Sequence, residues 1–158
     1  MSAALDPEAP RSRDVSTHNV ELVREFWRLW RNDGFDELLA RYEDFFTEDL
    51  EWHSPVAEMA GRHYVGRAGL ERHLADLRES FTGIAARPNE IVEIAPGLVR
   101  SDVLIHGEGP ASGVTVDAPL IALSRMRDRR MAWVWASFDL DEGERMADEA
   151  ATRKAPAS

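Results

Sequence analysis

The sequence predicts a single α+β domain in which three helices precede a four-stranded antiparallel meander. Three observations carry this. Apolar residues recur at helical spacing through the first half of the chain, and the period changes to two after Gly83. A run of helices followed by a run of strands places the helices on one face of a sheet. The length, 158 residues, suits one domain of about 100–200 residues, able to bury roughly 68–70% of its unfolded surface.

The first helix is expected over residues 17–32. Val20, Val23, Trp27 and Trp30 form one stripe, and Leu22, Phe26 and Leu29 an adjoining one. Together they make an apolar face wider than a surface helix needs. Ser16 or Thr17 can cap its start, and Asn-Asp-Gly at 32–34 stops it. A second helix follows over 36–46, with Leu38, Leu39, Tyr42, Phe45 and Phe46 on its apolar side; so short a connection should pack the two together. Leu50 to Ser54 alternates and ends at Pro55, as a short strand does. A loop with Gly61 and Gly66 leads to a third helix over 68–81, striped by Leu70, His73, Leu74, Leu77 and Phe81. Period-two segments near 87–95, 98–107, 113–127 and 130–139 are separated by Pro96-Gly97, a glycine loop over 107–113 and Asp128-Arg129. A short acidic helix is expected near 141–149. Residues 1–15, with Pro7 and Pro10 among polar residues, read as a disordered lead, 16–150 as the domain, and 151–158 as a disordered tail.

Composition excludes several functions. Zero cysteines rules out a disulfide scaffold, thiolate metal sites and a cysteine nucleophile. A formal net charge of −10 opposes binding to nucleic acid or to an anionic membrane. The start of the chain lacks a secretory pattern, and no apolar run approaches the ~18 residues of a membrane span. A cytoplasmic location is expected. His53 reads as a rim or structural residue; His18, His63 and His106 sit in or near loops with no carboxylate at metal-ligand spacing, so no metal is expected, and no cofactor is implied.

The stretches NVELVREFWRLWRNDGFDELL, LEWHSP, YVGRAGLERHLADL and VTVDAPLIALSRMRDRRMAWVWASFD resemble, in order and spacing, the SnoaL-like group of the nuclear-transport-factor-2-like superfamily, across residues 16–150. The resemblance implies a curved antiparallel sheet wrapped by three helices into a cone with an internal pocket, often dimeric through the sheet. It also implies a small hydrophobic ligand, cyclic or polyketide-like. Members include ketosteroid isomerases, polyketide cyclases, small epoxide hydrolases and dehydratases, alongside binding and dimerisation modules without chemistry. Placed on this chain, the steroid-isomerase tyrosine, base and acid positions fall on Phe26, Ser54 and Ile121. Phenylalanine and isoleucine cannot donate to an enolate oxygen, and a serine hydroxyl is far too weak a base to remove a proton beside a ketone.

His73 and Asp117 are the residues expected to carry acid–base chemistry. His73 sits in the apolar stripe of the third helix, where the resemblance implies a side chain facing the cavity. Two readings stand: a neutral imidazole that moves a proton or holds a ligand carbonyl, or a buried histidine bonded to a backbone carbonyl. Asp117 lies on the third strand of the meander beside Pro119 and works on a ligand only if the register turns it inward. The expected ligand wall comprises Phe26, Trp30, Trp52, Ser54, Leu77, Ile121 and Phe138. Trp52 shares a strand face with Ser54 and either walls the cavity or fills the core. On the last strand Ala132, Val134, Ala136 and Phe138 share the cavity face, leaving Trp133 and Trp135 outside. A homodimer interface would cover that pair, as would a tail helix folding back. Arg125, Arg127, Arg129 and Arg130 are either an anion site or a solvated hairpin tip paired with the acidic stretch 139–149. Function divides likewise into a ligand-binding domain with acid–base catalysis (cyclase, isomerase, dehydratase or hydrolase type) and a non-catalytic binding or dimerisation module.

Overall fold

The computed structural model describes residues 8–55, 64–109 and 115–153, with side chains from residue 15 onward except that of Ser16. The expectations for residues 1–7, Gly61, His63, Gly113 and the tail from 154 lie outside the described residues.

Helix α1 spans Glu8–Leu29, so it begins well before residue 17, and Ser16 and Thr17 lie within it rather than capping it. Pro10 falls in its first turn, where the N–H it lacks would have no intrahelical partner anyway. Val23, Phe26, Trp27, Leu29 and Trp30 are all buried, as the broad apolar face requires. Arg31 is extended and bridges to Ala85, and a 3-10 turn over Asn32–Gly34 reverses the chain. Only glycine fits at 34, because a Cβ there would stand 2.4 Å from the Leu29 carbonyl oxygen. The expected second helix is broken. Helix α2 covers Phe35–Ala40, α3 covers Tyr42–Phe45, and Phe46 opens strand β1 (Phe46–His53). Phe45 and Phe46 are both wholly buried, and the switch from helix to strand lets two successive rings turn inward. The Tyr42 hydroxyl donates to the Thr47 carbonyl at 2.7 Å and ties the switch together.

Strand β2 (Tyr64–Val65) leads directly into α4 (Gly66–Ser80). The meander follows as β3 (Gly83–Ala95), β4 (Leu98–Glu108), β5 (Thr115–Arg127) and β6 (Arg130–Ser137), closed by α5 (Leu140–Thr152). The six strands form one mixed sheet in the order β2-β1-β6-β5-β4-β3. The meander is antiparallel throughout, and β1 joins β6 in parallel, with Trp52 beside Val134.

Both faces of this sheet are covered. On the inner face α1, α2 and α4 pack over Val99, Val103, Ile105, Leu120, Ala122 and Val134. On the outer face α5 packs Ala147 and Ala150 against Leu98, Leu123 and Trp135. Asp139 caps α5 by accepting from the Glu142 N–H at 3.1 Å. Gly143 lets the helix seat, since a Cβ there would meet Ile121 Cδ1 at 2.7 Å. Helices therefore lie on two faces, not one, and the tail helix covers Trp135, which is 9% exposed. Trp133 packs at the edge of the same cluster. The tail helix thus covers one of the two residues on which a homodimer is expected, Trp135, while Trp133 stays partly exposed.

Candidate functional site

Trp30 and Trp52 stack with ring centroids 5.3 Å apart and planes 21° apart. The His73 imidazole lies 5.9 Å from the Trp30 ring, 5.3 Å from Trp52 and 5.0 Å from Tyr64. Three elements make this cluster: Trp30 just beyond the end of α1, Trp52 on β1, and His73 on the buried stripe of α4. Beside it lies a cavity of about 80 Å³. Its wall includes Trp27 and Trp30 from α1 and its end, Trp52 to Pro55 from β1 and beyond, and His73, Leu77 and Phe81 from α4 and its end. The meander contributes Ile84, Ile105, Leu120, Val134 and Ala136, with Phe138 from the β6–α5 junction. Phe138 is 43% exposed and marks the mouth.

Of the expected site residues, Trp30, Trp52, Ser54, His73, Leu77 and Phe138 come together at this cavity. Trp52 is both wall and core, being 5% exposed and inside the main apolar cluster. Three residues do not line it. Phe26 lies behind the wall, packed edge-on to Trp27 at 4.8 Å and Phe46 at 5.8 Å. Ile121 faces α5 across Gly143, so the β5 residue at the cavity is Leu120, one position earlier. Leucine has no more proton to give or take than isoleucine, and the steroid-isomerase pattern remains unfilled at this position. Asp117 has the parity of Ile121 and stands on the outer face, 58% exposed, accepting from His106 Nδ1 at 2.8 Å. Together Asp117 and a second acidic neighbour, Glu108, hold the His106 pKa above its ordinary value. Asp117 takes no part in cavity chemistry.

Residues not named from the sequence as site positions are Trp27, His53, Pro55, Phe81, Ile84, Ile105, Leu120, Val134 and Ala136. Strand parity with Phe138 already marked Val134 and Ala136, and Trp27 lies three residues before Trp30 on the same stripe. Ile84, Ile105 and Leu120 depend on register. His53 stands at the rim, its ring centroid 6.3 Å from that of Trp133.

Burial dominates the electrostatics of the site. His73 is 1% exposed, and desolvation lowers its pKa to about 4, against a smaller opposing pull from Asp76 one turn along α4. The imidazole is neutral at physiological pH. The Tyr64 hydroxyl donates to Asp76 Oδ2. His73 Nδ1 is buried with no hydrogen-bond partner, so the reading in which it satisfies a backbone carbonyl through that atom fails. Among the described residues the wall carries no carboxylate, and no group of His, Asp or Glu is placed to hold a metal. At the β5–β6 hairpin, Arg127 pairs with Asp49 and Arg125 donates to the Ala150 carbonyl at 3.1 Å. Their partners are thus on β1 and at the end of α5, not in the stretch 139–149. No described helix is long and apolar enough to cross a membrane.

The sheet and its helices have the α+β fold of nuclear-transport-factor-2-like structures. The profile of the SnoaL-like domain matches residues 23–134, and the chain belongs to that family. No curated protein matches the sequence. Among solved structures, the chain is similar to a candidate SnoaL-like polyketide cyclase from Jannaschia sp. CCS1. That structure has 19% identity and TM-score 0.66, with 90% of this chain and 96% of that one covered. It is similar also to TerC co-crystallised with polyporic acid, at 20% identity and TM-score 0.63, covering 83% and 98%. An LEH-like epoxide hydrolase of M. tuberculosis shows 15% identity and TM-score 0.61, covering 85% and 95%. At such identities the likeness is one of fold, and function has to be argued from the site.

Proposed function

We propose that this domain binds a small, flat, largely apolar molecule, cyclic or polyketide-like, and holds it without turning it over. The observation that carries this is the chemistry of the wall. Among the described residues, the lining is aromatic and aliphatic apart from Ser54 and two histidines, His53 and His73, and of that pair His73 is the buried one. A base whose pKa lies near 4 takes up little of a proton at neutral pH, and acid–base catalysis works best with a pKa near the working pH. The titratable groups nearest it are Tyr64, with its ring centroid 5.0 Å away, and Asp76, which accepts from the Tyr64 hydroxyl; neither lines the cavity, and His53 stands at its rim. About 80 Å³ is small beside the roughly 300–1,000 Å³ of pockets that enclose drug-sized ligands. The cavity therefore takes one ring or a short chain, and anything larger extends past Phe138.

One observation supports the alternative, acid–base turnover of the same kind of molecule by cyclisation, isomerisation, dehydration or hydrolysis. The unpartnered Nδ1 of His73 is available to a reacting group. A single experiment separates the two. Native mass spectrometry identifies the molecule that copurifies, and that molecule is then incubated with the protein in excess. Binding returns it unchanged. A product that forms with the protein and not with His73→Phe establishes turnover, and a protein that retains no small molecule from any extract refutes both.

A further inference from the structure

Among the described residues, five buried side-chain nitrogen and oxygen atoms lack a hydrogen-bond partner: Asn19 Oδ1, Trp27 Nε1, Trp52 Nε1, His73 Nδ1 and Ser101 Oγ. Three of them, Trp27 Nε1, Trp52 Nε1 and His73 Nδ1, belong to residues that line one cavity. All three residues are at least nine-tenths buried, at 5%, 5% and 1% exposure. Folded proteins pair nearly all their buried polar atoms, so three orphans on residues that wall one small hollow call for a common explanation.

We infer that the ligand carries a neutral hydrogen-bond acceptor, of the ketone, quinone or ester carbonyl class, and seats it against the indole N–H groups of Trp27 and Trp52 and the imidazole of His73. This rests on the binding reading above and specifies the polar end of its ligand. An indole N–H can only donate, so its partner must accept. The imidazole, neutral here, offers N–H or lone pair at Nδ1 according to tautomer, and so complements a carbonyl or a neighbouring enol or phenol hydroxyl.

The same wall disfavours the other ligand classes. An ammonium has donors and no acceptor for the indoles. A carboxylate would lose its hydration with no Lys or Arg among the described lining residues to compensate it. A pure hydrocarbon would leave all three nitrogens unpaired. The competing structural account is that the indole N–H groups rest on ring faces, as the edge-on Phe26–Trp27 contact at 4.8 Å permits, and such contacts are second-order.

The test uses the full chain labelled at its indole nitrogens, which gives one resonance for each of the five tryptophans. The probes are acetophenone, ethylbenzene and benzoate, and Trp27→Phe and Trp52→Phe assign the signals. Acetophenone is expected to move the Trp27 and Trp52 N–H resonances downfield. Trp52→Phe is expected to weaken acetophenone by about threefold to tenfold more than it changes ethylbenzene, the worth of one neutral hydrogen bond. If a variant does not fold, the resonances of the unaltered protein decide. Acetophenone that saturates without moving either resonance, equal losses for acetophenone and ethylbenzene, or tightest binding by benzoate each overturns this inference and leaves an apolar cavity standing. Binding of none of the three overturns the cavity reading and this inference with it.

Discussion

Replacing His73 by phenylalanine should remove an acid sensitivity that the fold imposes on this domain. The imidazole is buried, and its folded pKa of about 4 lies below the ordinary 6.5. Above pH 6.5 the unfolded chain carries the same neutral ring, and the histidine costs nothing through protonation. As the pH falls from 6.5 towards 4, the unfolded chain takes up a proton that the folded protein refuses, so stability falls with pH across that window. At pH 5 the linkage relation makes this loss about 2 kcal/mol relative to pH 7.5, with about 3 kcal/mol reached below pH 4. In His73→Phe the term vanishes, while every carboxylate titration remains in both proteins. Urea unfolding of each protein at pH 7.5 and pH 5 measures it. The wild type should lose about 2 kcal/mol more than the variant between the two conditions. At pH 7.5 the variant should be as stable or more so, since it removes an unpartnered buried nitrogen. Equal losses within about 0.5 kcal/mol would mean that His73 protonates freely in the folded state, and the argument from burial would be wrong.

Three further outcomes are expected. Gly143→Ala should lower stability by about 1 kcal/mol, the steric cost against Ile121 at 2.7 Å exceeding the helix-propensity gain. In an Ile121→Ala background the same change should stabilise, and a double-mutant cycle by chemical denaturation checks both. Arg129→Gly should raise stability by about 1 kcal/mol, because Asp128 and Arg129 both have positive φ, 53° and 64°, in a two-residue turn that favours Asp-Gly; the denaturation midpoint reads it. Asp117→Asn should lower the His106 pKa towards its ordinary value by removing the carboxylate 2.8 Å from Nδ1. An NMR titration follows this, and ligand affinity should not change, since the pair lies on the outer face.

The residues named from the sequence that lie beside the cavity share one property: a polar or bulky side chain set in a pattern with a single apolar face. His73 and Leu77 on α4, Trp52 and Ser54 on β1, and Phe138 after β6 all sit where helix stripe or strand alternation names the inward direction. The two misplaced residues of β5 lie where that label is missing. Leu120, Ile121, Ala122, Leu123 and Ser124 are all buried, because α1 and its neighbours cover one face of the strand and α5 the other. A strand buried on both sides has no polar alternation to read, and an error of one residue exchanges its faces. Ile121 and Asp117 accordingly stand on the face opposite to the expected one, and Leu120 lines the cavity.

Local chemistry in the chain was enough to specify the class of fold, the change from helix to strand at Gly83, the aromatic face of α1 and the absence of thiol chemistry. Each is written in the spacing and type of neighbouring residues. Which face of β5 meets the cavity, where the second helix breaks to bury both Phe45 and Phe46, and which part of the molecule covers Trp135 were decided by contacts between residues distant in sequence. So was the gathering of three unpartnered nitrogens, from Trp27, Trp52 and His73, around one hollow. Those contacts form only when α1, β1 and α4 close over the sheet, and no periodicity along a single segment records them.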